Sequence, residues 1–231
     1  MPAPTDSSAA PRVRRTQAQR SETMRQRILD ATLSCLQTDG YAGTTVSRII
    51  EVAGVSRGAP LHHFPSKSAL IAAAAEQLIR RVYIQMGKAA AKLQGSEDRL
   101  HDLIYSAWKN VFNRPEHIAL HELLVASQRD RELAEILQKV WTAGYFTLGN
   151  AADHYLEPTR DRANVREMMV LTQWLLRGMA EDLHIVADST LFDRYLKLWC
   201  EMLAVHLRAR SGITEPPPRP PQWDQSLSDL L

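Results

Sequence analysis

From Glu22 onward the chain repeats apolar residues at a helical period. Met24, Ile28, Ala31 and Cys35 are spaced by four, three and four, and Gly40 stands where such a helix stops, which predicts a first helix over about 21–38. Thr44 or Thr45 can cap a second short helix, because a side-chain oxygen there accepts a first-turn N–H that has no helical partner; its apolar face is Val46, Ile49, Ile50 and Ala53. Ala53-Gly54-Val55 turns the chain, Ser56 offers a new cap, and a third short helix runs to about His63. Pro65 and Ser66 open a fourth, about 66–87, with Leu70, Ile71, Ala74, Leu78, Val82 and Met86 down one side. Longer periodic segments follow at about 97–113, 116–127, 131–154, 160–186 and 190–209, broken at Pro115, at SQRDRE and at Pro158. No β-type alternation and no internal repeat is present, so the fold class is all-α, with about nine helices and strand content close to nil.

Composition changes this picture mainly at the ends. Many of the twelve prolines lie in the two tails, which leaves the middle free to be helical. Residues 1–20 are small, polar and then arginine-rich, as expected of a disordered basic arm, and GITEPPPRPP begins a flexible Pro-rich tail over 211–231. The formal charge of +2 hides an asymmetry: nine basic and five acidic residues precede Ser68, so the front carries +4 and the remainder −2. Cys35 and Cys200 fall in apolar helical patterns and read as reduced core residues. No uninterrupted apolar run reaches membrane-span length and the first residues lack a secretion signal's apolar core, so a cytoplasmic location is expected.

Two short helices joined by a glycine-containing corner make a helix-turn-helix, whose second helix can enter the major groove of DNA. Gly54 suits the corner because that position commonly needs a positive φ. The run Thr44, Thr45, Val46, then Ala53, Gly54, Val55, Ser56, then Gly58, His63, Phe64, Ser66 and Lys67, preceded by Asp39-Gly40-Tyr41, resembles the DNA-binding segment of the tetracycline-repressor (TetR) family of bacterial transcription regulators. The match covers about residues 21–75, and its many spaced positions make it specific. Three positions depart from the family pattern: Leu61 replaces a Tyr that touches phosphate, Ile50 replaces an Ala, and Pro60 enters the first turns of the third helix.

The chemistry of the segment assigns its roles. Arg57 and His62 can donate hydrogen bonds to base edges, Gly58 and Ala59 allow close backbone approach, and Leu61 can meet a thymine methyl; Ser56 opens the same helix. Thr44, Thr45, Arg48 and Lys67 suit phosphate, and Arg12, Arg14, Arg15 and Arg20 can follow the backbone or reach the minor groove.

So small a reading unit gains its discrimination by pairing, as dimers read two half-sites. The last two long segments are apolar over more than one stripe, and Met168, Leu175, Met179, Phe192, Tyr195, Trp199, Met202 and His206 are the expected dimer contacts. The family resemblance implies the same: a four-helix bundle between two subunits, and a cavity in the intervening helices for a small inducer that releases a repressor from an inverted-repeat operator. Tyr105, Trp108, Phe112, His121, Trp141, Tyr145, Gln173, Trp174 and Arg177 are the expected lining, with Gln128 a further polar candidate, and their character favours a hydrophobic or aromatic compound. The expected division is a DNA-binding domain over 21–67, a connecting helix over 66–87 and a ligand-binding and dimerisation domain over 88–210.

Competing readings have less to stand on. His117 and His121 are four apart, a spacing that lets two imidazoles face one metal, but the zinc-protease arrangement fails at Val125. No phosphate loop, nucleophile elbow or paired acids suggest an enzyme, and no cofactor is implied. A helical interaction protein that docks a partner through its tail is a third class. The expected partners are double-stranded DNA, a small inducer and a second copy of the chain.

Overall fold

The computed structural model describes residues 16–92, 96–160, 163–188, 190–213, 215–218 and 220. Its helices are α1 (Gln17–Gly43), α2 (Val46–Ala53), α3 (Ala59–His63), α4 (Lys67–Lys92), α5 (Arg99–Ala107), α6 (Pro115–Ser127), α7 (Arg131–Tyr155), α8 (Val165–Glu181) and α9 (Thr190–Ala204). A π-helical turn, Trp108–Phe112, continues α5. Among the described residues the strand content is one short antiparallel pair, β1 (Leu156–Pro158) with β2 (Leu207–Ala209), in which Leu156 faces Ala209. Among the described residues no helix is long and apolar enough to cross a membrane.

Several boundaries differ from those the sequence suggests, each for a local reason. α1 starts earlier because Thr16 and Gln19 form a reciprocal capping box: the Thr16 hydroxyl accepts from the Gln19 N–H at 3.2 Å and the Gln19 side chain accepts from the Thr16 N–H at 2.9 Å. Residues 17–20 are therefore helical rather than part of an arm, and the rest of the expected arm, residues 1–15, lies outside the described residues. Gly40 does turn the chain, at φ +68, but helical geometry resumes to Gly43. α8 begins only at Val165, capped by Asn164, whose side chain accepts from the N–H groups of Arg166 and Glu167.

The beginning of the expected flexible tail is packed down. Arg99 donates to the carbonyls of Arg210 and Ile213, His154 Nε2 donates to that of Glu215 at 3.0 Å, and the Tyr83 hydroxyl donates to that of Pro218 at 2.9 Å. Residues 221–231 lie outside the described residues.

Two apolar cores organise the molecule. The first joins Ile28, Leu29 and Leu36 of α1 with Ile49 of α2, Phe64, Leu70 and Ala74 of α4, Leu123 of α6, and Leu133, Leu137 and Val140 of α7. The second joins α5 and the π-turn to α8, α9 and the strand pair, through Ile104, Trp108, Leu176, Phe192, Leu196 and Leu203. Cys35 and Cys200 are free and buried, one in each core, and burial pushes both thiols up, Cys200 to about 12. They act as small apolar residues.

The α2–α3 corner supplies a direct stability test. Gly54 caps α2 in the left-handed region, φ +60 and ψ 44, and donates to the carbonyls of Ile50 and Glu51. Gly54→Ala should lower stability by about 1–2 kcal/mol, the cost of a side chain in that conformation, read as a lower urea midpoint; an unchanged midpoint would contradict the assignment.

Candidate nucleic-acid interface and ligand cavity

The reading unit is assembled from local signals. Thr45 caps α2 by accepting from the Arg48 N–H at 3.2 Å, and Arg27 of α1 donates to the Ala53 carbonyl at 2.7 Å, which satisfies the other end of that helix. α3 begins at Ala59 with Gly58 as its cap residue, so Ser56 does not serve as the expected cap; its carbonyl instead accepts from Ala59 N in the preceding turn at 3.0 Å. Pro60 points inward and is buried, and Phe64 is buried beneath the Arg25 guanidinium, 5.5 Å from its ring centre. The opposite face presents Ser56, Arg57, Gly58, Leu61 and His62 to solvent, with Ala59 half-buried and Leu61 64% exposed. Among the described residues Arg57 has no ion-pair partner.

The expected phosphate contacts separate into two groups. Thr45 is exposed, and Lys67 stands half-buried with its ammonium 4.8 Å above the Tyr41 ring. Thr44 must be withdrawn: it is fully buried and its hydroxyl donates to the Gly40 carbonyl at 2.7 Å. Arg48 is held on the protein by Asp39 at 2.8 Å and Glu51 at 3.0 Å, and its hydrogen bond keeps the Asp39 carboxyl below the usual range. Arg12, Arg14 and Arg15 lie outside the described residues, while Arg20 is exposed on α1.

Tyr41 ties this unit to the body, a role its sequence context did not reveal. Its N–H donates to the Glu122 carboxylate of α6 at 3.0 Å, and its hydroxyl donates to Asp130, the cap of α7, at 2.9 Å. Burial and the Asp130 hydrogen bond push the phenol up to about 12. Gly40 permits the approach, since a Cβ there would stand 2.9 Å from the Glu122 carboxylate.

Between the two cores lies a cavity of about 180 Å³, walled by α4, the π-turn, α6, α7 and α8. Its apolar lining includes Leu78, Val82, Met86, Val111, Leu120, Leu148, Met169 and Leu176. The wider π-turn, which often marks functional sites, brings Asn110, Val111 and Phe112 to its wall. Phe112, Trp141, Tyr145, Gln173 and Arg177 line it among the residues expected there. Four others do not. Tyr105 stacks on His101 and donates to the Asp193 carbonyl; Trp108 is buried against Phe192; His121 faces Glu181 at 3.2 Å; Trp174 is 56% exposed on the outside of α8. Gln128, the further polar candidate, is likewise absent from the lining. His117 takes the place foreseen for His121: only 8% exposed, it faces the cavity with its Nε2 unpartnered. Among the described residues no group of three or more His, Cys, Asp or Glu is placed to hold a metal ion, His117 and His121 included.

The expected dimer contacts are also redistributed. Met179 and Phe192 are buried in the subunit's own core, which rules them out as outward contacts, and Trp199 is half-buried with its indole N–H donated to Thr172 at 3.1 Å. Met168, Leu175 and His206 are half-buried, and Tyr195 and Met202 are exposed. The outward apolar surface of α8 and α9 is Leu171, Trp174, Tyr195, Leu198 and Met202.

A short helix-turn-helix seated on a larger helical body defines the architecture of a helix-turn-helix DNA-binding protein. Residues 28–74 match the family model described as bacterial regulatory proteins, tetR family. The chain is 31% identical over 185 residues to the HTH-type transcriptional regulator CymR of Pseudomonas putida, covering 78% of this chain and 89% of that one. Over 53 residues it is 45% identical to the HTH-type transcriptional repressor AcnR of Corynebacterium efficiens, a stretch covering 23% of this chain and 28% of that one. A crystal structure of a transcriptional regulator from Rhodococcus sp. Rha1 shares the fold, with a TM-score of 0.59 at 18% identity over 79% of this chain and 97% of that one. The chain belongs to the TetR family: it is a transcription regulator with a DNA-binding helix-turn-helix, and not an enzyme.

His117 couples the stability of the fold to pH. Burial and the neighbouring Arg177 charge lower its pKa from 6.5 to about 4. Between those values the unfolded chain binds more protons than the folded one, so stability is full above about pH 6.5 and declines as pH falls toward 4. His117→Leu should remove that part of the decline. Urea midpoints at pH 7 and pH 5 check it: the parent should lose more between the two than the variant, and equal losses would contradict the buried neutral imidazole.

Proposed function

We propose that the protein is a repressor that binds an inverted-repeat operator as a homodimer and leaves it when a small molecule occupies the cavity. The observation that carries this reading is the two-sided third helix with the turn before it, which buries Pro60 while offering Arg57, Leu61 and His62 outward. Arg57 and His62 read base edges, Ser56, Gly58 and Ala59 allow the backbone close, Leu61 meets a thymine methyl, and Thr45 and Lys67 hold phosphate. Arg48 joins them only by giving up Asp39 or Glu51.

Pairing uses the outer faces of α8 and α9. Leu171, Trp174, Tyr195, Leu198 and Met202 form an exposed apolar surface of the kind that marks an interface. Two such faces related by a two-fold axis make a four-helix bundle, in which each residue meets its symmetry-related counterpart surface.

Release follows from α4. The helix begins at Lys67 beside the reading unit and, three to five turns on, supplies Leu78, Val82 and Met86 to the cavity. A molecule that prefers a wider cavity tilts α4 and the head with it, and weakens DNA binding by as much as its preference between the two shapes. In functional terms residues 21–67 are the head, 66–87 the lever and 88–210 the sensing and pairing body.

Three substitutions test this. Arg57→Ala should weaken operator binding by about 1–3 kcal/mol and relax preference at one base position, and Lys67→Ala should weaken all sequences alike and lower the salt slope by about one. Both should remain dimers in sedimentation. Trp174→Asp should yield folded monomers that lose the operator. Full affinity in the Arg57 and Lys67 variants would overturn the reading face, and a dimeric Trp174→Asp protein would overturn the pairing face.

A further inference from the structure

The charges around the cavity do not cancel. Its lining carries four arginines, Arg81, Arg114, Arg166 and Arg177, and one carboxylate, Glu116. Arg81 pairs with Asp30, Arg166 with Asp153 at 2.7 Å, and Arg114 with Glu116 at 3.7 Å. With those pairs set aside, one positive charge is left over, on Arg177. Among the described residues no carboxylate lies within ion-pair distance of it. Its guanidinium instead rests 4.8 Å above the Trp141 ring, and its Nε is buried without a hydrogen-bond partner. Glu181, one turn further along α8, acts on Arg177 only at longer range, and its carboxylate lies 3.2 Å from His121.

Glu116 Oε2 is buried without a hydrogen-bond partner, its Arg114 contact being 3.7 Å long, and His117 adds another such group. Its Nε2 is buried and unpartnered, and it is near enough for the Arg177 charge to act on it. Aromatic contact with Phe112, at 5.5 Å between ring centres, fixes the imidazole from one side. A guanidinium Nε and an imidazole nitrogen buried without partners are each costly, and a cavity that keeps both suits a molecule that supplies what is missing. Gln85, Asn110 and Gln173 are the uncharged polar groups of the lining with side-chain amides, and most of the remaining wall is apolar.

We propose that the ligand of this cavity is an organic monoanion, a carboxylate carried on an apolar or aromatic body, which pairs with Arg177 and accepts a hydrogen bond from His117. The body fills the space between Val82, Met86, Val111 and Leu148, and Trp141 continues to stack on the guanidinium from the other side. Glu116 excludes a second negative charge near its own end of the cavity, so dicarboxylates are disfavoured. This assignment deepens the reading of the cavity as the regulatory site and rests on it.

Paired probes separate the charge from the shape. Naphthalene-2-carboxylate and biphenyl-4-carboxylate are compared with their neutral primary carboxamides at pH 7, by the melting temperature of the full chain and by release of a fluorescent operator duplex. Each acid should raise the melting temperature and bind at least ~10-fold more tightly than its amide, a difference of about 1.4 kcal/mol. Arg177→Met should abolish that preference, bringing acid and amide to equal affinity, whereas Arg177→Lys should retain part of it. The free Arg177→Met protein should melt at the same or a higher temperature than the parent, since it loses an unpaired charge and little packing; this confirms that it folds. Amides that bind and release the operator as well as the acids would overturn the anion while leaving the cavity's regulatory role standing. An acid preference that survives Arg177→Met would overturn the assigned partner. If neither acids nor amides shift melting or release DNA, both the anion and the regulatory site fall.

Discussion

The burial of α1 on two sides at once is the constraint from which the rest follows. One face carries Ile49 of α2 and the corner behind the reading helix; the other carries Leu70 and Ala74 of α4 and Leu123 of α6. Ile28, Leu29 and Leu36 are each almost wholly buried there. Removing such a side chain from water is worth about 1.5–3 kcal/mol, so the head cannot slide off the body without exposing several of them. Its permitted motion is that of a packed block, and Tyr41, bonded at once to Glu122 and Asp130, fixes the block to α6 and α7. Drawing a domain boundary after Lys67 is useful for describing function, but the apolar packing runs straight across it.

The cavity lies at the seam where this first core meets the second. Such a seam is the place where a void disturbs stability least, because each core is closed on its own side, and it is also where a small change of shape moves one core against the other. α4 belongs to both arrangements, with its first half in the head's core and its second half in the cavity wall. Among the described residues the same seam holds three buried polar atoms without a hydrogen-bond partner: Arg177 Nε, His117 Nε2 and Glu116 Oε2. By contrast Arg27 is answered by the end of α2, and Arg210 by Asp153, Leu156 and Glu157. Arg177 and His117 are not answered in this way, and under the proposed reading a stability given up there would be recovered when a complementary molecule binds.

The number and order of the helices were legible because period, caps and breakers agree along most of the chain. The start of α1 was legible too, through the Thr16–Gln19 box, yet arginine content and small residues made the segment read as an arm. What the sequence could not give was the rotation of each helix about its axis. Trp174, Gln173 and Arg177 occupy neighbouring positions on α8, and a shift of a few tens of degrees sends the tryptophan outward and the other two inward. His117 and His121 lie one turn apart on α6, and the tilt of that helix buries the first while leaving the second against Glu181. A helix with two apolar stripes hides which stripe meets its own core. Met179 and Phe192 therefore read like Tyr195 and Met202 until the packing is known. Thr44 and Thr45 differ for a similar reason, since only one of two adjacent hydroxyls can face outward at the cap.

The central claim is that two copies of this block, joined through α8 and α9, present their third helices to one duplex. Selection of binding sites by the full chain from a pool of random duplexes tests it most directly. The account predicts enrichment of an inverted repeat whose half-sites are related by a two-fold axis and spaced so that both fall on the same side of the duplex. Enrichment of a single asymmetric site, or of no sequence at all, would contradict it.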